Sequence, residues 1–108
     1  MASYLYEEID GDLSLDIFTG PKGLINRMKK LDDIPQQLMI KIASSFIKLK
    51  SVKSDIVGDM IIAMSRSGGK RSIKMILDTL SGYKREFVID YIDDTDSSAM
   101  DVVTSLLD

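Results

Sequence analysis

Residues 35–49, PQQLMIKIASSFIKL, decide the fold class. Leu38, Met39, Ile42, Ala43, Phe46, Ile47 and Leu49 recur at three-to-four spacing, while Gln37, Lys41, Ser44, Ser45 and Lys48 fall on the other side. That is the period of an amphipathic helix with a wide apolar face. Asp32 or Asp33 supplies a cap. Pro35 suits the first turn, where a backbone N–H has no helical partner to lose. No breaker follows until about Ser51. The spacing predicts the longest helix of the chain, and the breadth of its apolar face predicts a central position.

Outward from this segment the same period recurs. Towards the N-terminus, Leu24, Ile25, Met28 and Leu31 stand at helical spacing with Asn26, Arg27, Lys29 and Lys30 turned away. Towards the C-terminus, Ser54 reads as the cap of a helix that buries Ile56, Val57, Met60, Ile61 and Met64. Gly58 inside it costs up to about 1 kcal/mol against Ala, which a close helix crossing would explain. Ser67-Gly68-Gly69 ends that segment. Residues 72–80 form the next helix, on Ile73, Ile76, Leu77 and Leu80. Residues 83–92 form another, burying Phe87, Val88, Tyr91 and Ile92. An acidic loop at 93–97 leads to a last helix capped by Ser97 or Ser98, with Met100, Val103, Leu106 and Leu107 on its stripe.

Only residues 4–18 carry a strand-like pattern. Leu13, Leu15 and Ile17 alternate with polar residues, and Asp10-Gly11 is a turn pair. A small β-hairpin, residues 4–9 with 12–18, is the preferred reading. A short helix capped by Asp12 is its rival. Thr19-Gly20-Pro21-Lys22-Gly23 separates this arm from the helices. The expected fold is therefore mainly α: a compact bundle of five to six short helices, preceded by the small hairpin or its helical rival, in one domain spanning 1–108.

Composition narrows the chemistry. The chain has 108 residues, no Cys and no His. Disulfides, thiolate nucleophiles and imidazole bases are thereby excluded, and no zinc site of the usual kind can form. Aromatics are sparse and seven Met accompany the Ile, Leu and Val, so the core is aliphatic. No apolar run approaches the roughly 18 residues of a membrane span. The acidic start lacks the basic n-region of a signal peptide. A cytoplasmic protein, of viral or phage origin, is the expectation.

The net charge of −3 hides a strong segregation. Residues 1–21 hold five acids and no base, residues 22–85 hold all fourteen bases with five acids, and residues 86–108 hold seven acids and no base. Separated charge of this kind directs partners rather than fold.

Four features are candidate sites. Ser67-Gly68-Gly69-Lys70-Arg71-Ser72 places two cations at a helix start, where free N–H groups attract anions. It departs from a Walker loop, which would need Gly where Met64 stands and Ser or Thr where Arg71 stands. Residues 72–92 have the outline of a helix-turn-helix, but Asp78 occupies the tightly packed turn position and Glu86 and Asp90 sit on the reading helix. The bases Lys48, Lys50, Lys53, Lys70, Arg71, Lys74, Lys84 and Arg85 could line a groove for an anionic partner. Asp90, Asp93, Asp94 and Asp96 form an acidic docking surface; their spacing does not fit a calcium loop. Each has a plain alternative, a solvated loop or a charged helix face. The reading these features support best is a small non-enzymatic, regulatory interaction protein. It would act through charge-complementary surfaces on another protein, itself included, with no cofactor, metal, membrane or small-molecule substrate. The alternative is a nucleic-acid-binding protein using residues 22–85.

Overall fold

The computed structural model describes residues 15–31, 33–49 and 51–107. Among them are seven helices and no strand: α1 (Leu15–Phe18), α2 (Leu24–Lys29), α3 (Gln36–Phe46), α4 (Ser54–Ser65), α5 (Lys70–Asp78), α6 (Gly82–Thr95) and α7 (Ser97–Leu107). The mainly helical class read from the sequence holds. The expected hairpin does not gain support. Its first strand and its turn lie outside the described residues, and Leu15–Phe18, the end of its second strand, is a helical turn. Packing overrides the alternation there: Phe18 is fully buried and meets the Phe46 ring edge-on, with centroids 5.2 Å apart.

The centre of the bundle is α4, not α3, and the longest helix is α6, with 14 residues against 11 in α3. Four helices pack on α4: α2, α5, α6 and α7, with α6 its most extensive neighbour. The reason lies in residues 60–64, Met-Ile-Ile-Ala-Met, all buried. A helix that is apolar on every side has no wet face and must be surrounded. On α3 the apolar residues keep to one side, and Ile47 just beyond it is exposed. Four of the methionines, Met28, Met39, Met60 and Met64, have no exposed surface, so they are core filler.

Gly58 explains its own place in α4. A Cβ there would overlap Tyr91 Cδ2 and stand 3.0 Å from Cε2. The missing side chain lets α6 cross α4 with the Tyr91 ring lying on the α4 backbone.

The acidic loop expected at 93–97 is a single residue. Helix α6 continues through Asp93, Asp94 and Thr95, and α7 starts at Ser97. Asp96 does both terminal jobs. Its N–H donates to the Ile92 carbonyl at 2.9 Å, and its Oδ1 accepts from the Ala99 N–H at 3.1 Å. The cap is thus Asp96 rather than Ser97 or Ser98, and it leaves no room for a loop. Likewise α5 begins at Lys70, two residues earlier than its apolar stripe indicates. The preceding loop is pinned to the start of α3: the Ile34 N–H donates to Ser67 Oγ at 3.1 Å, and Gln36 Nε2 donates to the Gly68 carbonyl at 3.2 Å.

Candidate interaction surface

Two faces of α6 differ in chemistry. The inner face carries Val88 and Ile92, both fully buried, one turn apart. Lys84 joins this side: half-buried, its Nζ donates to the Val52 carbonyl. Tyr91 closes it. The phenol donates to Asp59 Oδ1 at 2.7 Å, and Lys29 Nζ stands 3.6 Å from the same oxygen, so α2, α4 and α6 meet at one carboxylate. The hydrogen bond to Asp59, then burial, then the Asp59 charge push the Tyr91 hydroxyl from 10.0 up to about 12. A phenol held so firmly as a donor is poorly suited to act as a base or nucleophile.

The outer face is unlike a normal wet face. Tyr83 is 81% exposed and Phe87 64% exposed. Residues 83, 87, 90 and 94 recur at 4-3-4 spacing, so the two rings and the Asp90 and Asp94 carboxylates form one stripe along the helix. Glu86 and Asp93 flank it, also exposed. The sequence assigned Phe87 to the core; the structure corrects this. Val88 and Ile92 already fill the inner face, and Phe87, turned about 100° from Val88, points out to solvent. The legible signal was the stripe itself, two aromatics one turn apart in register with two acids.

The charges also sit at the wrong ends of their helices. The last turn of α6 carries Asp93 and Asp94 and no base, at the negative end of the helix dipole. The first turn of α5 carries Lys70 and Arg71 and no acid, at the positive end. Each arrangement is mildly unfavourable in the isolated chain.

The basic site residues do not converge on one patch. Lys70, Arg71 and Lys74 are exposed on α5, and Lys74 pairs with Asp78 at 3.4 Å. The loop before α5 lies at the N-terminal end of α3. Exposed Lys48 and Lys53, by contrast, belong to the connection that leaves the C-terminal end of α3, and Lys84 reaches that connection at Val52. Eleven residues of α3, about 16 Å, separate the two groups. Arg85 is half-buried, and Lys50 lies outside the described residues. Of the acids, Asp90, Asp93 and Asp94 share α6, whereas Asp96 is turned into its cap. No group of three or more acids among the described residues is arranged to hold a metal ion.

Beside α6 runs a small groove of about 170 Å³. Phe46, Val52, Val57 and Ile76 line it, with Ile47, Leu80 and Lys84 among its further lining residues. Phe87 follows Lys84 by three positions and so lies next to it on the helix surface.

No family model, curated protein or solved structure matches this chain.

Proposed function

We propose that this chain is a small non-enzymatic interaction protein that docks the outer face of α6 on a basic protein surface. The observation that carries the reading is the exposure of Tyr83 and Phe87, one turn apart and in line with Asp90 and Asp94. Exposed apolar ring surface is unfavourable in water, and covering it is favourable. Aromatics anchor protein interfaces more than their number suggests. Four acids around them select a cationic partner and speed its encounter, and the rings can hold Lys or Arg by cation–π attraction. The split of the basic residues between the two ends of α3 counts against the alternative, a continuous phosphate-tracking groove.

The test uses a defined probe, a labelled Lys- and Leu-containing amphipathic peptide, followed by fluorescence anisotropy. The wild-type chain binds it, and added salt weakens the complex. Tyr83→Ser with Phe87→Ser lowers affinity by about thirtyfold or more, the loss of a central anchor pair. Equal binding by that variant overturns the reading. A salt-sensitive shift of duplex DNA that survives both substitutions, with no peptide binding, replaces it by the nucleic-acid alternative.

A further inference from the structure

Resting on that reading, we infer that the surface covering the α6 face is the α5 face of a second copy of this chain, in a two-fold pair where each α6 receives the partner's α5. The first ground is charge. The exposed side of α5 carries Lys70, Arg71 and Lys74 against one acid, Asp78. The exposed side of α6 carries acids from Glu86 to Asp94 and no base. The Lys74–Asp78 pair is exposed, and such pairs contribute little, so Lys74 can exchange partners.

The second ground is the helix ends. The N-terminus of α5 and the C-terminus of α6 each bear charge of the same sign as their own dipole end. Setting the partner's α5 start beside the α6 end offsets both costs at once, since Lys70 and Arg71 then face Asp93 and Asp94. An unrelated basic partner would relieve only one of them.

The third ground is size. The nine residues of α5 and the nine of the acidic stretch 86–94 of α6 each run about 13 Å, so the two fit without overhang. Lys74, about 6 Å further along α5, then falls beside Asp90, with Phe87 one turn beyond. Both faces belong to one molecule, and α5 and α6 each pack on α4. A two-fold axis would make the contact twice and close the assembly at two copies, whereas any other operator would give a ring or an open chain.

Charge exchange tests this. One variant carries Lys70→Glu, Arg71→Glu and Lys74→Glu; the other carries Asp90→Lys, Asp93→Lys and Asp94→Lys. Sedimentation velocity at tens of micromolar and low salt reads the mass, and circular dichroism reads the helix content. Wild type sediments as a dimer. Either variant alone is a monomer, with self-association weakened by roughly a hundredfold or more, because like charges now meet at both contacts. Mixed in equal amounts they form a one-to-one heterodimer, because both contacts are again complementary. Dimerisation that persists in either variant overturns the inference, and so does a mixture that stays monomeric. Growth of the mixture beyond two copies refutes the closed pairing. A monomeric wild type that still binds the basic peptide through Phe87 sinks this inference and leaves the proposed function standing, whereas loss of both results removes both.

Discussion

Replacing Gly58 by Ala sets two effects of opposite sign against each other. Inside a helix, Ala is more favourable than Gly by about 1 kcal/mol. Here the new methyl group would overlap Cδ2 of Tyr91 and stand 3.0 Å from Cε2. The ring has little freedom to retreat, because its hydroxyl is tied to Asp59 at 2.7 Å. Forcing a methyl group into such a contact costs about 1–3 kcal/mol. Loosening the phenol–carboxylate bond adds about 1 kcal/mol, less than usual for a charged acceptor, since Asp59 is 31% exposed and can rehydrate. The balance is a loss of about 1–3 kcal/mol, or roughly 4–13 °C in melting temperature for a domain of this size. Urea unfolding followed by circular dichroism measures it, with an unchanged slope showing that two-state unfolding is preserved. The decisive comparison is the same substitution in a Tyr91→Ala background. With the ring gone, only the propensity gain remains, and Gly58→Ala becomes stabilising by up to about 1 kcal/mol. Stabilisation in the wild-type background, or the same sign in both, refutes the crossing argument.

Three further expectations follow from single groups. Ser72 is fully buried in α5 and its hydroxyl has no hydrogen-bond partner among the described residues, so Ser72→Ala raises stability by about 1 kcal/mol; a clear destabilisation in a urea titration contradicts this. The Tyr91 hydroxyl is pushed up to about 12 in the folded chain, while an unfolded tyrosine ionises near 10. The folded state binds more protons between those values, so the stability held below pH 10 is lost as pH rises towards 12. Tyr91→Phe, compared with wild type across that window, shows a shallower decline, and parallel curves refute the coupling. Lys84, whose ammonium serves the Val52 carbonyl, is structural: Lys84→Ala costs about 1 kcal/mol in folding while leaving peptide binding near wild type, as calorimetry on both reactions would show.

The helices were legible because each buries one face, and three-to-four spacing reports that directly. What escaped was which helix is central. The apolar run at 60–64 is visible in the sequence, and its meaning, burial on all sides, depends on α6 and α7, which come much later in the chain. Local pattern favoured α3 because its apolar face runs unbroken; α4 is interrupted by Gly58, whose justification is a contact 33 positions on. The acidic loop was misread because Asp93 and Asp94 oppose the helix dipole, whereas the burial of Ile92 and the cap at Asp96 carry the helix through them. The charge blocks were plain, but the use of each charge was not. Lys84 is turned to a backbone carbonyl 32 residues away, and Asp96 to a cap one turn ahead. Conversely, Phe87 was read as core on its residue type, although the stripe it shares with Tyr83, Asp90 and Asp94 was already in the sequence.

The position of α4 also bears on how the chain reaches this state during synthesis. A ribosome delivers α4 well before α6, its largest neighbour, and the inner face of α6 is complete only with Ile92. Until then the 60–64 run has α2 and α5 to lean on and stays bare towards α6. The early helices therefore have little reason to commit, and the bundle waits to fold until most of its length is made. Chains stalled between α4 and α6 would present an uncovered aliphatic helix, the kind of surface that chaperones bind and that aggregates nucleate on.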